Sequence, residues 1–286
     1  MTPEAQWHGT PDACGGDDSG AGVESVPGRV QLLDIGGNTP LSYYLWRHPD
    51  GDATDRWLVA VHGISRDARE QVRLLRAAAA IYGFSLVCPL FDEARYRGYQ
   101  QLGLGGAGLR ADRALMVLHD ALGRRFVMPS RFDLFGFSGG AQFAHRFALM
   151  HPHRVRRLGI AAAGWYTLLD GERAFPYGTR TDSIASAPRA ALAEFVRIPQ
   201  LVLVGSEDTR RDGALRKREH LDREQGRNRR LRASAWVASV RRVGLALGHA
   251  PSIDECVLEG VGHDFSDAVH RGRLPEHLFD FLIEQG

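Results

Sequence analysis

The sequence predicts an α/β fold with a mostly parallel sheet of about eight strands, an antiparallel N-terminal edge, and helices on both faces. Three observations predict it. Strand-like and helix-like segments alternate along the chain, as they do where helices connect parallel strands. Most strand-like segments are uninterrupted apolar runs, which is typical of strands that are buried on both faces. The first two strand-like segments are separated only by the turn GGNTP, which indicates an antiparallel pair.

Hydrophobic periodicity and turn residues give the bounds of each element. The predicted strands are 29–35, 41–47, 56–63, 85–91, 131–137, 155–164, 200–205 and 252–260. Helices are predicted over 67–83, 109–126, about 140 to 152, 186–197, 229–247 and 267–284. In the first helix Val72, Leu75 and Ala79 recur at helical spacing, and Gly83 is a typical stop.

The composition is that of a soluble globular protein, because 44% of the 286 residues are hydrophobic and 24% are charged. No apolar run approaches the roughly 20 residues that a membrane-spanning helix needs. Residues 1–28 are polar, lack the basic start and apolar stretch of a secretory signal, and are predicted to form a flexible tail. No linker divides the rest, so we expect a single domain over 29–286, with a short lid or insert around 165–199.

Charge and cysteine content narrow the function classes. The net charge of +2 gives no general attraction to nucleic acid. The three cysteines (Cys14, Cys88 and Cys256) are few and far apart, which indicates neither disulfides nor a zinc site and favours a reducing compartment. We therefore expect a cytoplasmic protein that binds neither nucleic acid nor a membrane.

The stretch DLFGFSGGAQF, residues 133–143, places Ser138 between two glycines directly after an apolar run. The G-x-S-x-G pattern is short enough to arise by chance, so its context decides its meaning. Here it joins a predicted strand to a predicted helix, where a sharp turn lifts the serine above the carboxyl end of the sheet. Gly136 and Gly140 permit that turn, and the helix N-terminus directs free N–H groups toward an oxyanion. Ser138 is therefore the candidate nucleophile.

A serine nucleophile needs a base and an acid that orients the base. His263 in LEGVGHDF follows the last predicted strand, and Asp208 in LVLVGSEDTR follows the strand before it. Because the carboxyl ends of parallel strands share one edge, all three groups are expected on the same rim. Glu207, next to Asp208, is an alternative acid. His62 is interpreted as a residue that organises its loop rather than as a base.

These motifs resemble the α/β-hydrolase fold family over about residues 29–284. GFSGG resembles its nucleophile elbow, GSED its acid loop, GVGHDF its histidine loop, and VHGIS its oxyanion loop. The resemblance implies that Ser138 is the nucleophile, Asp208 the acid and His263 the base. It also implies that the backbone N–H groups of Gly139 and Ile64 form the oxyanion hole. Within the family, PLFDEARYRGYQQLG and REQGRNRR resemble small bacterial depolymerase-like hydrolases.

Residues 210–232 are locally basic, with ten basic and four acidic residues. The favoured interpretation is a solvated helix and loop face. The alternative is an anion-attracting rim, in which Arg210 and Arg211 lie near the site because they closely follow Asp208. In either case Arg227, Arg229 and Arg230 are expected farther out, at the start of a helix.

Two further features bear on ligands. Trp165 and Tyr166 leave a predicted strand on the same rim, so they are candidate pocket walls, with ordinary packing under a loop as the alternative. The stretch GLGGAG (103–108) matches G-x-G-x-x-G, but it does not follow a strand closely, so dinucleotide binding is not predicted. No histidine pair has the spacing of metal ligands in H-E-x-x-H. Neither a cofactor nor a metal is expected.

The sequence thus predicts a cofactor-independent serine hydrolase that cleaves an ester or related acyl bond of a small molecule. A peptidase or amidase with the same triad is the alternative among enzymes. A non-catalytic binding protein that keeps the fold is the alternative from a different class.

Overall fold

The computed structural model describes residues 25–51, 56–180 and 189–284. One mixed sheet is formed by β1 (Val30–Ile35), β2 (Leu41–Trp46), β3 (Trp57–Val61), β4 (Ser85–Leu90), β5 (Phe132–Phe137), β6 (Val155–Ala161), β7 (Gln200–Gly205) and β8 (Ile253–Leu258). The strand order is β1-β2-β4-β3-β5-β6-β7-β8. β2 is antiparallel to both of its neighbours. The other six strands after it in this order, β4, β3, β5, β6, β7 and β8, are parallel to one another. This sheet confirms the predicted fold class.

The helices cover the sheet in two layers. They are α1 (Ala68–Tyr82), α2 (Ala111–Arg125), α3 (Gly139–Met150), α4 (Arg189–Phe195), α5 (Glu219–Glu224), α6 (Arg229–Ala246), α7 (Phe265–His270) and α8 (Leu274–Ile283). Buried residues of α2, α3 and α6 join one hydrophobic cluster, and those of α1, α7 and α8 join a second. Within β3, Val59 belongs to the first cluster and Leu58 to the second. A strand packed on both faces needs apolar residues at every position, which explains the uninterrupted runs.

Several bounds differ from the prediction. The predicted helix 267–284 is two helices, because Arg273 between them has φ 51°, outside the helical region. Gly272 permits the close packing at this break, since a Cβ there would lie 2.8 Å from the carbonyl oxygen of Ala268. The strand predicted over 155–164 ends at Ala161, and α5 was not predicted. Most of the predicted flexible tail (1–24) and part of the predicted insert (181–188) lie outside the described residues.

The parallel strands bring three loops to one edge of the sheet. β5, β7 and β8 run in the same direction, so the loops that follow them meet at their carboxyl ends. Those loops carry Ser138, Asp208 and His263. Among the described helices, none combines the length and the apolar character needed to cross a membrane.

Candidate active site

Ser138 occupies a strained turn between β5 and α3. Its backbone angles are φ 53° and ψ −110°, a conformation that side-chain-bearing residues rarely adopt. Holding a non-glycine residue there costs about 1–3 kcal/mol. The Ser138 amide donates to the carbonyl of Ala161 at 2.8 Å, which ties the turn to the end of β6. The fold therefore holds this serine in place at an energetic cost.

The two flanking glycines have no room for side chains. A Cβ on Gly136 would lie 2.2 Å from the carbonyl oxygen of Gly140. A Cβ on Gly140 would lie 2.0 Å from the carbonyl oxygen of Val61 on β3. Both distances are far below van der Waals contact and involve backbone atoms, which cannot rotate away. The G-x-S-x-G spacing is thus a packing requirement of this turn.

A hydrogen-bonded relay joins the three predicted side chains. Ser138 Oγ lies 3.0 Å from His263 Nε2, and His263 Nδ1 lies 2.8 Å from Asp208 Oδ2. The His263 ring stacks on Phe137, with ring centroids 5.4 Å apart. Ser138 and Asp208 are buried, while 18% of the His263 side chain is exposed. An imidazole held between a carboxylate and a hydroxyl is arranged to accept the hydroxyl proton.

The acid loop and the histidine loop are bound to each other. Glu207 donates its amide to the carbonyl of Val261 at 2.9 Å, and the Gly260 amide donates to Ser206 Oγ at 2.9 Å. A Cβ on Gly205 would lie 2.1 Å from the Val261 carbonyl oxygen, so only glycine permits this approach. With the backbone fixed in this way, Asp208 points at His263.

The alternative acid, Glu207, points elsewhere. Its side chain is exposed and lines a surface depression of about 330 Å³ beside the relay. The structure brings Asp208, and not Glu207, into contact with His263. The depression is mostly acidic, since it is lined by Glu207, Asp208, Asp212 and Asp267 against the cations Arg210 and Arg271.

Arg229 contacts the second carboxylate oxygen of Asp208, a role that was not predicted from the sequence. Its Nη1 donates to Asp208 Oδ1 at 3.1 Å, and its two terminal nitrogens contact Asp212 at 2.8 and 3.0 Å. The side chains of Arg229 and Asp208 are each only 1% exposed. Hydrogen bonding to Arg229 lowers the pKa of Asp212 to about 2. The expectation that Arg229 lies farther out is therefore wrong, because its side chain reaches back from the start of α6.

We expect Arg229→Gln to lower kcat by about 10- to 100-fold with little change in KM. Removing a hydrogen-bond partner that orients a metal-ligating side chain has an effect of this size, and Arg229 orients Asp208 in a comparable way. The substitution leaves Asp208 free to rotate and places two carboxylates near each other without their shared cation. Steady-state kinetics on a p-nitrophenyl ester measure this effect. Arg230→Gln is the matched control, because Arg230 is the next residue on α6 and is exposed.

Circular dichroism of both variants distinguishes a positioning effect from unfolding. If Arg229→Gln unfolds, Arg229→Lys is the variant to use instead. Lysine keeps the positive charge but loses the bidentate contact, so this variant should show the same selective loss of kcat. Equal rates for Arg229→Lys and the native protein would contradict the positioning role.

The predicted oxyanion amides come from two different segments, one after β3 and one after β5. Gly139 is the first residue of α3 and Ile64 follows the end of β3, and in the described part of the chain neither backbone N–H has an acceptor. A Cβ on Gly139 would lie 2.6 Å from Tyr99 Oη and 2.9 Å from Gln100 Nε2, so this position is closely packed. Unpaired N–H groups at a helix start are suited to bind a negatively charged oxygen.

His62 organises the Ile64 loop, as the sequence predicts. Its Nδ1 lies 2.8 Å from the carbonyl of Gly63, and its Nε2 accepts from the amide of Phe91 at 3.0 Å. Burial lowers the pKa of His62 to about 4, so the ring is neutral at neutral pH. Since both ring nitrogens are engaged with backbone, His62 positions the loop and is not available as a base.

The two candidate pocket aromatics are buried. Tyr166 is fully buried, and its ring stacks on Trp236 with centroids 5.3 Å apart. Its backbone N–H and C=O are paired with the side chain of Gln225 at 2.9 and 2.8 Å. Tyr166 is thus a core residue, which matches the packing alternative. Trp165 is 4% exposed and lies between arginine side chains.

The basic segment 210–232 combines exposed side chains with a few structural ones, since six of its ten basic residues are exposed. Arg229 holds the candidate acid, and Arg211 pairs with Asp222 at 2.8 Å. The fully buried Arg232 donates to the carbonyl of Gly164 at 2.6 Å and also contacts Asp222. Arg210 shares its depression with four acidic residues. The segment is therefore neither a wholly solvated face nor a simple positive rim.

Among the residues that the structure describes, no group of three or more histidine, cysteine, aspartate or glutamate side chains is arranged to hold a metal ion.

Comparison with solved structures shows which fold this is. Poly(aspartic acid) hydrolase-1 from Sphingomonas sp. KT-1 superposes with a TM-score of 0.74 and 22% identity, covering 91% of this chain and all of that one. A poly(3-hydroxybutyrate) depolymerase from Bordetella parapertussis gives the same score and identity, covering 89% of this chain and 90% of its own. The chain has the α/β-hydrolase fold.

A third solved structure is less similar and still spans most of both chains. An S-formylglutathione hydrolase from Agrobacterium tumefaciens superposes with a TM-score of 0.59 and 14% identity, covering 89% of this chain and 95% of that one. A scan of protein-family models and a search of curated proteins gave no match. The α/β-hydrolase fold accommodates many reactions, so the function is argued from the site itself.

Proposed function

We propose that this protein is a serine hydrolase that cleaves an ester or related acyl bond through Ser138, His263 and Asp208. The observation that carries the proposal is the unbroken relay from Ser138 Oγ to His263 at 3.0 Å and on to Asp208 at 2.8 Å. A serine that keeps an unfavourable φ of 53° beside that relay supports the same function. The named activities of the structural neighbours are also hydrolytic.

In this mechanism His263 Nε2 removes the proton from Ser138 Oγ as the oxygen attacks the substrate carbonyl carbon. Nδ1–H donates to Asp208 Oδ2, which fixes the tautomer and stabilises the imidazolium. The amides of Gly139 and Ile64 donate to the tetrahedral oxyanion. The imidazolium then protonates the leaving group, an acyl-enzyme remains, and water repeats the cycle with His263 as base.

An amide bond is the second candidate substrate. The same relay cleaves amides when the imidazolium protonates a leaving amine. One structural neighbour is described as acting on poly(aspartic acid), whose backbone links are amides, and another as acting on poly(3-hydroxybutyrate), whose links are esters. We favour the ester because alcohol leaving groups depart more readily, so a site with modest substrate contacts suffices.

Assays with purified protein on p-nitrophenyl esters of graded acyl length, together with aminoacyl p-nitroanilides, test the proposal. The expected result is saturable ester turnover with an optimum chain length, and slower or no release of nitroaniline. Faster cleavage of the anilides would replace the ester by the amide as substrate. A protein that turns over neither class is the result expected of a binding protein that retains the fold.

A further inference from the structure

Arg146 lies on the helix that follows the proposed nucleophile and has no carboxylate partner among the described residues. It is on α3, eight residues after Ser138, and residues four and eight apart share one helical face. Its Nε donates to Thr167 Oγ1 at 2.8 Å, and its Nη1 donates to the carbonyls of Gln100 and Gln142 at 2.6 and 3.1 Å. The remaining terminal nitrogen, Nη2, is buried and has no acceptor.

Trp165 connects Arg146 to a second such arginine. Arg146 Cζ lies 4.2 Å from the centre of the Trp165 ring, and Arg216 Cζ lies 5.3 Å from it. The Tyr177 ring is 5.0 Å from Trp165 and 5.8 Å from Arg216 Cζ. Arg216 is half-buried and makes no ion pair with a described carboxylate. Two guanidinium groups thus share one indole ring.

Three carboxylates of the neighbouring described segments already have arginine partners. Asp222 contacts Arg211 and Arg232, while Glu224 and Asp170 both contact Arg173. Burial, and next the positive charge of Arg216, lower the pKa of Arg146 to about 9. Arg146 is still protonated at neutral pH, so among the described residues the pair leaves positive charge without a compensating anion.

Hydrogen bonds from Arg232 connect the Arg216 segment to the segment that carries Trp165. The buried Arg232 donates from Nη2 to the carbonyl of Arg216 at 3.1 Å and from Nη1 to the carbonyl of Gly164, directly before Trp165, at 2.6 Å. One side chain therefore joins the two segments that carry the indole and the half-exposed guanidinium. A preformed arrangement of this kind reduces the entropy lost when a ligand binds.

We propose that Arg146, Trp165 and Arg216 form a subsite for a carboxylate carried by the substrate. The inference rests on the proposed function and names its substrate class as esters that bear a carboxylate. Arg216 pairs with the carboxylate, Arg146 adds positive charge from within the protein, and the buried indole packs against both guanidinium groups. Gln142, which contacts Arg146, is four residues past Ser138, or roughly 6 Å along the helix. Because Arg146 lies beyond Gln142 on this helix, the subsite suits a carboxylate that is several bonds away from the scissile carbonyl.

Two esters that differ only in charge test this subsite. The mono-p-nitrophenyl ester of adipate carries a free carboxylate, and its methyl-capped analogue does not. The native protein should show a kcat/KM about tenfold higher for the charged ester, the value of one favourable ionic contact. Arg216→Gln should remove this preference mainly by raising KM for the charged ester. The preference should also fall as salt is added, because part of the subsite is exposed.

Arg218→Gln is the matched control, since Arg218 is exposed, lies two residues on, and removes the same charge. It should keep the tenfold preference. Equal kcat/KM for the two esters in the native protein, or the same loss of preference in Arg216→Gln and Arg218→Gln, would overturn the subsite.

Calorimetric binding of adipate separates this inference from the proposed function, because it needs no turnover. Adipate should bind the native protein and Arg218→Gln, and its affinity for Arg216→Gln should fall about tenfold. Adipate binding without any esterase activity would support the subsite and contradict the proposed hydrolase activity. Turnover of the capped ester without adipate binding would support the hydrolase activity and contradict the subsite. Tighter binding of inorganic phosphate than of adipate would overturn the assignment to a carboxylate.

Discussion

Ser138→Ala is expected to lower kcat for a p-nitrophenyl ester by a factor on the order of 10⁴ to 10⁶. The substitution removes the only atom that can form the acyl-enzyme, while His263, Asp208 and the oxyanion amides stay in place. Initial rates at saturating substrate measure the loss. The variant is purified on a column that has never carried the native protein, so that traces of native enzyme do not contribute to the measured rate.

The same variant should fold normally. Alanine keeps the Cβ that Ser138 places in the strained turn, so the thermal midpoint should change little. Ser138→Gly should be equally inactive but more stable, because glycine adopts φ 53° without strain. A Ser138→Ala protein that retains a tenth of the native rate would show that another residue is the nucleophile.

Asp208→Asn is expected to lower kcat about 10⁴-fold, the effect of the corresponding change in a serine protease. An amide can donate to His263 Nδ1, which favours the tautomer with its proton on Nε2, and that tautomer cannot accept the Ser138 proton. The buried Arg229 also loses one of its two anionic partners and keeps Asp212. Kinetics across a range of pH measure the loss and show whether hydroxide recovers part of it.

Glu207→Gln is the matched control for this change. It removes the same charge one residue earlier, from an exposed side chain that does not contact His263. Its rate should stay within about threefold of the native value, in line with surface substitutions away from a site. Equal losses in the two variants, or a larger loss in Glu207→Gln, would transfer the acid role to Glu207.

The buried strands and the meeting of the three relay side chains were open to prediction because they follow from local patterns. Apolar runs fix which segments are buried strands, and parallel strands place their following loops at one edge. The G-x-S-x-G stretch carries its own geometry, since Gly136 and Gly140 are required by backbone contacts within a few residues. Ser138, Asp208 and His263 could therefore be singled out before any coordinates.

Arg229 could not be found in that way, because its role depends on the direction of one long side chain. One signal was present: two arginines begin α6 with no acidic residue in the first turn, an arrangement that the helix dipole disfavours. A cation in that position calls for a nearby anion, and Asp208 and Asp212 supply it.

Tyr166 shows the converse difficulty. Its position after β6 indicates the rim that carries the relay, but the pattern does not show which way an aromatic ring turns. Trp236 lies 70 residues later, and the packing of its ring on Tyr166 is a long-range contact without a sequence signal. Burial of Trp165 between Arg146 and Arg216 depends on three separate segments in the same way.

The central claim is that Ser138 is an activated nucleophile, and labelling with a fluorophosphonate probe tests it most directly. The probe reacts covalently with a serine that a neighbouring base activates, and peptide mass spectrometry identifies the modified residue. We predict stoichiometric modification of Ser138 in the folded native protein, and none in the heat-denatured protein or in Ser138→Ala. Modification of a different serine, or no modification of the folded protein, would contradict the account.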